Sequence, residues 1–522
     1  MDERTQMAGG GRAAVAAGTV GAAGAVGAAG AAAWSGARGS LQAVLPGPSG
    51  NERAGWQAKR AAGDGQTRRA VGQRLLRGAV QAGATMPVVA ACTLPGRGAA
   101  PAGRPNVQAL LAQPAHLFWL NWANNVAAQE ANTQLIQSFT TRFPQITVED
   151  GRTPPDKPYQ EKFAAMMAAG TPPDVFQWQP SNVVDFAARR WVLDLQPLVR
   201  RDRFDLEDFP QKGIDQYRWR NGLWGLPLGF ANQQMYYNVT EFKRAGLPLP
   251  PGDFRQPDWT WDRFLEAARR LTAPPSDDPQ QGRWGVQIAG RDIRRWGVWV
   301  WSNGGEIIDE QKLVCLLDQP PAVEALQLLQ DLIYKYKVWP DPAPPGASLA
   351  AGQIMMQAGA TSSSISNLRR AIGTAFEWGV TMHPRGKARQ YVAAGGGAGW
   401  AIARESKATE AAWAFLQHIT STEANVLNCQ LAGGGTGSGR RSANADPACT
   451  PTEPPLNVRV FVDGAEYVHI DPRVPGWDDV TAVFEAELKP LWDGSAAARQ
   501  VAAEVKRQVD QVLKERARAL GI

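Results

Sequence analysis

From residue 116 onward the chain alternates between two hydrophobic patterns. His116-Leu-Phe-Trp-Leu-Asn-Trp122 is a short apolar run of strand length, and Leu135, Ile136 and Phe139 then recur on one helical face. Ile146-Thr-Val-Glu149 supplies a second strand, about Pro158 to Ala169 a second helix, and Pro173-Asp-Val-Phe-Gln-Trp178 a third strand. Ser181 is placed to cap the helix that follows. Strand, helix and strand at this spacing predict βαβ units with a parallel sheet. The alternation resumes in the middle of the chain, where Thr260 caps a helix whose inward face is Phe264, Ala267, Ala268 and Leu271. Val501, Val505, Val509 and Leu513 mark a last amphipathic helix by their four-residue spacing. The predicted class is α/β throughout, with no repeat array.

The first 115 residues read differently. Ala13 to Ala33 is almost wholly alanine, glycine and valine, too little side chain to build a core. Residues 1–66 are a low-complexity leader or follow a start assigned too early. Arg68, Arg69, Arg74 and Arg77 form a basic segment, and Gly78 to Ala91 carries no charge. The sequence Val88-Val-Ala-Ala-Cys92 resembles a bacterial lipoprotein cleavage site, in which the cysteine is acylated and becomes the new N-terminus. Thr67-Arg-Arg also resembles a twin-arginine export signal, although Val71-Gly72 departs from the Phe-Leu of that pattern. Both routes stay open, and both make residues 1–91 a leader and place the protein outside the cytoplasm. Residues 92–115, rich in Pro, Gly and Ala, have the composition of a flexible tether.

Charge is consistent with this division. The net charge of +6 comes from 55 Lys/Arg against 49 Asp/Glu, but residues 1–91 hold ten of the former and four of the latter, leaving 45 of each. The chain after the leader is neutral, without a basic block or RNA-binding aromatic signature, so nucleic acid is not an expected partner. Eighteen of the twenty tryptophans follow Cys92. Indole is awkward to bury completely because its N–H needs a partner, and flat aromatic faces commonly hold sugar rings. About half of these rings are expected in a cleft and half in the core. Of the later cysteines, Cys429 and Cys449 bracket a glycine-rich loop and are the favoured disulfide, which would restrict the unfolded chain by about 3 kcal/mol. Cys315 reads as a buried thiol. No zinc spacing is present, and no cofactor or metal is expected.

Three stretches, taken together, resemble the extracellular solute-binding proteins of ABC importers, in particular the large sugar-binding, maltose-binding-protein-like family. They are Leu223-Trp-Gly-Leu-Pro227 to Asn238 with Phe242 to Pro248 and Trp259 to Asp262; Trp299-Val-Trp301-Ser-Asn303-Gly-Gly305; and Gly395-Gly-Gly-Ala-Gly399-Trp400-Ala-Ile402 with Ser406 to Leu416. The resemblance covers most of residues 116–520. It implies two lobes, each a mainly parallel sheet flanked by helices, joined by hinge strands and closing on a ligand. Carried over by position, the crossings fall near Gly229 to Asn232, Ala393 to Gly397 and Ser442 to Asp446. Lobe one is then 116–230 with 396–444, and lobe two 231–395 with 445–522. Glycines suit such crossings because they tolerate the dihedral changes of a hinge.

The expected ligand-facing residues follow from these two sources. Trp122 and Asn124 end the first strand, and Trp178 and Gln179 the third, where ligands of open α/β sheets sit; Trp122 could instead cap the lobe core. The resemblance implies contacts from Phe230 and Asn232 at the first hinge, unless Asn232 bonds the hinge backbone. It implies others from Trp299, Trp301 and Asn303, where the two rings, alternating with Val300, would share one face of a strand. Gly359 and Thr361 match a segment that usually carries an aromatic, which argues against a long malto-oligosaccharide. Gly396, Gly397 and Trp400 flank the second hinge, and Arg440 and Arg441 the third, where an arginine could fork onto hydroxyls or be solvated. Trp477 completes the set. The implied function is capture of a sugar or related polyhydroxy solute by a membrane-anchored, monomeric receptor that delivers it to an ABC permease. An enzyme is the main rival, yet His116, His383, His418 and His469 lack ligand spacing, and the adjacent Asp478 and Asp479 diverge by about 100° on a helix. A lipoprotein of the same fold acting on a protein partner is the other alternative.

Overall fold

Two separate sheets organise the chain, which is represented here by a computed structural model. It describes residues 107–123, 126–153, 157–229, 231–273, 282–388, 391–431, 438–449, 452 and 454–522; the leader with Cys92, and Asn124 and Phe230, lie outside the described residues. Within the span expected to be a tether, Val107–Leu111 is a short helix. Among the described residues no helix is long and apolar enough to cross a membrane.

The first sheet has five strands in the order Ile146–Arg152, Ala115–Asn121, Val175–Trp178, Gly399–Ile402 and Leu226–Pro227. The first three run parallel, as the βαβ pattern requires, and Gly399–Ile402 runs antiparallel to both its neighbours. Leu117, Trp119 and Leu120 are fully buried, with the Trp119 ring 5.1 Å from Trp400 and 5.0 Å from Phe415. Helix Val126–Arg142 brings Phe139 against the same Phe415, at 5.0 Å. Packed rings of this size dominate core energetics, and truncating one costs about 3–5 kcal/mol.

The second sheet is built on Asn232–Asn238, every residue of which is buried. That strand is antiparallel to Met356–Thr361, Trp378–Thr381 and Ala393–Gly395, while Gln287–Ile288 and Val468–His469 add parallel edges. The sheet is therefore mixed, because its central strand is entered from a hinge and not from a βαβ crossover. Helix Trp261–Leu271 is capped by Thr260, whose side chain accepts from the Arg263 N–H, and it buries Phe264, Ala267, Ala268 and Leu271. Helix Ala498–Leu520 buries Val501, Val505, Val509 and Leu513. Both apolar faces are those read from the sequence. Ser181 makes no cap; it sits in a helical turn at Pro180–Asn182, and the next helix starts at Val183.

The chain passes between the sheets at three places. After Leu226–Pro227 it enters Asn232–Asn238, and after Ala393–Gly395 it returns into Gly399–Ile402. The two passages lie side by side: Gly395 pairs with Asn232, the Gly396 N–H donates to the Ala231 carbonyl (3.2 Å), and the Leu228 N–H to the Ala398 carbonyl (3.1 Å). The third passage falls later than the expected Ser442 to Asp446. Cys449 is still tied to Cys429 by a disulfide (S–S 2.06 Å), and Leu456 is the first residue to bridge the second sheet, at Gly379. Cys315 is a free, buried thiol, pushed up to about 12 chiefly by burial.

Backbone contact at the paired passages leaves no room for a side chain at Gly397, where a Cβ would lie 2.4 Å from the Gly229 carbonyl oxygen. Gly397→Ala is expected to lower Tm by about 2 °C or more in calorimetry. An unchanged Tm would show that the passages are free to separate at no cost.

Candidate functional site

A cavity of about 760 Å³ lies where the two sheets' lobes face each other. The first lobe contributes Gln179 and Ser181, the second the segment Ala289–Arg295 and residues between Asp471 and Asp493, with Tyr334, Asp341 and Pro342. Its volume is within the range of small-molecule pockets.

Local sequence sets each wall. Strand Val175–Trp178 stops at Pro180, so Gln179 is delivered just beyond its carboxyl end. Gln179 is only 7% exposed and its Oε1 has no hydrogen-bond partner among the described residues. Asp292 caps helix Ile293–Ser302, its side chain accepting from the Arg294 N–H. Gly476, left-handed at φ +67°, turns the chain into helix Trp477–Glu487 and donates its N–H to Asp185 of the first lobe (2.8 Å). Trp477 is thereby the first helical residue, with Asp478 and Asp479 in the first turn, where the helix dipole favours negative charge.

Charges on the wall are mostly paired with one another. Arg294 forks onto Asp471 through Nη2 (2.6 Å) and Nε (3.0 Å). Arg295 bonds Asp292, and Arg291 bonds Asp341 while lying 4.9 Å from the Trp492 ring centroid. Asp478 and Asp479 diverge as adjacent helical residues must: Asp478 lines the cavity and Asp479 pairs with Arg516 Nε (2.7 Å). Desolvation pushes the Asp478 carboxyl up to about 7, with the nearby Asp185 and Asp479 carboxylates adding to the rise. Among the described residues no group of three or more His, Cys, Asp or Glu could hold a metal. What the arrangement offers a ligand is aromatic surface from Trp477, Phe484 and Trp492 beside donors and acceptors in fixed positions.

Of the residues expected to face a ligand, Gln179 and Trp477 line this cavity. Trp122 is half-buried at its strand end, its N–H donating to Gln177 Oε1 (3.0 Å) and its ring edge-on to Tyr159 at 5.5 Å. Trp178 and Trp400 belong to the first lobe's core: Trp178 packs on Phe186 (5.3 Å) and Tyr217 (5.7 Å), and Trp400 on Trp119. The Asn232 side chain donates to the Phe461 carbonyl (2.7 Å) and accepts from Gln234 (2.6 Å), so it is held within the second lobe and not by the hinge backbone.

Trp299 and Trp301 are not on a strand; they lie within helix Ile293–Ser302, which is buried all round, so they do not share a face. Trp299 packs on Phe264 at 5.2 Å, and Trp301 stacks on His469 at 4.2 Å. Truncating Trp301 is thus a loss of packing rather than of a ligand contact. Asn303 ends that helix and is used up by Pro321, Glu324 and Lys387. Gly359 sits at a bulge with φ +74°, where a Cβ would press on Arg295 Cγ at 2.9 Å. The Thr361 hydroxyl pairs with Ser363 (2.7 Å) and its carbonyl accepts from Tyr236. Gly396 and Gly397 are at the hinge passages. Arg440 is held by Asp208 (3.0 Å), and Arg441 by Glu466 (2.9 Å) and two carbonyls.

Arg291, Asp292, Arg294 and Asp471 were not singled out from the sequence, and Asp478 was weighed only with Asp479 as an acid–base pair. The signal available was Arg294-Arg295 inside an apolar helix, since charges there need buried partners.

Comparisons with known proteins identify the family and the fold. A family model for the bacterial extracellular solute-binding protein matches residues 122–426. An erythritol/L-threitol-binding protein of Mycolicibacterium smegmatis is 23% identical over 83% of this chain and 94% of its own length. An arabinooligosaccharide-binding protein of Halalkalibacterium halodurans is 22% identical over 42% of this chain and 46% of its own. Among solved structures, the sugar-binding protein of Xanthomonas citri superposes with a TM-score of 0.67 at 18% identity, covering 78% of this chain and 99% of its own. A cyclic alpha-maltosyl-1,6-maltose binding protein of Arthrobacter globiformis superposes with 0.64 at 19% identity, covering 77% and 100%. The shared fold is two-lobed.

The raised Asp478 carboxyl has a testable sign. The folded chain holds this proton more tightly than the unfolded chain, so stability falls as pH rises from about 4 to about 7 and stays reduced above. Asp478→Asn is expected to raise Tm at pH 8 by about 2 °C or more, with the gain gone by about pH 4. A pH-independent difference would exclude this titration.

Proposed function

Because the chain belongs to the bacterial extracellular solute-binding protein family, we propose that it is a receptor that closes its two lobes on a sugar or related polyhydroxy solute and delivers it to an ABC permease. The observation that carries this reading is the cavity between the lobes, with Gln179 from one side and Trp477 from the other. A polyhydroxy solute presents both C–H faces and hydroxyls, which suits aromatic walls interleaved with fixed polar groups. The relatives named for polyols and arabinooligosaccharides support the same ligand class. Asp479 is turned to Arg516, and Asp292, Asp341 and Asp471 are each tied to an arginine of the wall, so these carboxylates act as fixed structure around the solute.

We take lobe one as 111–229 with 398–449 and lobe two as 231–395 with 456–522. Closure is a population shift: a ligand touching both walls favours the closed form by its differential contacts. Cys92 would carry the lipid anchor, acyl chains adding about 0.8 kcal/mol per buried CH₂, and the monomer would present both lobes to the permease.

A thermal-shift panel of monosaccharides, oligosaccharides and sugar alcohols should yield at least one ligand that raises Tm. Calorimetry with that ligand should show Gln179→Leu and Trp477→Leu weakening affinity at least tenfold while the far-UV spectrum is retained. A panel without any response, or both variants binding as the parent does, would overturn the assignment of this cavity.

A further inference from the structure

The polar groups of the cavity are unevenly matched. Arg291, Arg294 and Arg295 are each held by a carboxylate on the same wall, so their charge is already answered. Of the three carboxylates near the start of helix Trp477–Glu487, Asp185 accepts the Gly476 N–H and Asp479 pairs with Arg516. Asp478 faces the cavity without an ion-pair partner among the described residues, and desolvation and two neighbouring carboxylates outweigh the helix dipole in opposing an unaccompanied negative charge. Independently, Gln179, more than nine-tenths buried, lines the same cavity from the opposite lobe with its Oε1 unpartnered. Asp478 and Gln179 Oε1 are open acceptors, and Glu485, Lys489 and Asp493 add two carboxylates and one ammonium to the lining, so the charge not paired within the wall is net negative. Arg291 Nη1 and Arg295 Nε are remaining donors, suited to hydroxyls.

We propose that the solute carries a protonated amine on a polyhydroxy scaffold, with the ammonium seated against Asp478 and hydrogen-bonded across the cleft by Gln179. This rests on the receptor reading above and narrows its ligand class. An ammonium supplies three donors and one positive charge, meeting both acceptors at once. In a cavity partly closed to water that attraction is stronger than at a surface, and Trp477 and Trp492 add aromatic faces that favour a cation. A neutral sugar would offer Asp478 no counter-charge.

The test is calorimetry on the full mature chain at pH 7.5 with matched probes: glucamine against sorbitol, and glucosamine against glucose and N-acetylglucosamine. Each amine is expected to bind at least tenfold more tightly than its neutral counterparts. Asp478→Asn should abolish that preference, and Asp479→Asn, altered on the side facing Arg516, should keep it. Neutral probes binding as tightly as the amines, or an Asp478→Asn protein that retains the preference, would overturn the proposal and leave the receptor reading standing. Absence of binding by every amine also overturns it, and the wider neutral panel then judges the receptor reading separately.

Discussion

Where the chain passes between its two sheets, backbone lies on backbone, and the placement of the cavity follows from that contact. Ala231, Gly396 and Gly397 lie close enough that a side chain at Gly397 would collide with the Gly229 carbonyl. The Tyr217 hydroxyl donates to the Gly397 carbonyl (3.0 Å), tying the first lobe's interior to the passage itself. Glycine's missing Cβ permits this approach, and its freedom at φ +156° lets Gly396 turn between two differently directed strands. With both passages paired, the carboxyl end of strand Val175–Trp178 is brought opposite the N-terminal turns of helices Ile293–Ser302 and Trp477–Glu487. The solute-binding space is what remains between them.

Electrostatics of that space depend on how the arginines are used. Bidentate pairing of Arg294 with Asp471 joins two segments of the second lobe far apart in sequence, and it lies next to the hinge glycine Gly396. Burial makes the Arg294 guanidinium costly alone, and the Asp471 charge and hydrogen bonds hold its proton in place. The pair therefore acts as fixed structure near the site. With Arg291 and Arg295 similarly occupied, the net negative potential of Asp478, Glu485 and Asp493 against Lys489 is left for a ligand to answer.

Much of the fold was legible in the chain. Phe264, Ala267, Ala268 and Leu271 repeat at helical spacing and are buried; Val501 to Leu513 behave likewise, because a single apolar stripe must find a core. The site was less legible. Trp299 and Trp301 gave an alternating pattern, but a helix buried on every side carries no polar face to reveal its period, so strand and helix look alike over three residues. Trp178 was placed at a cleft on the strength of its strand end, and Trp400 on that of its nearness to the second hinge. They lie instead where the first lobe's rings stack on one another.

What the sequence determined by itself is the alternation of elements, the Thr260 cap, the apolar faces and the family, since these depend on residues close along the chain or on ordered motifs. Tertiary structure decided which polar groups remain unmatched in the cavity. Asp478 and Asp479 are identical neighbours in sequence, yet one faces Arg516 and the other open space. The hundred-degree step of a helix separates them, and only partners from Asp185 to Arg516, brought together by folding, determine which carboxylate is left over.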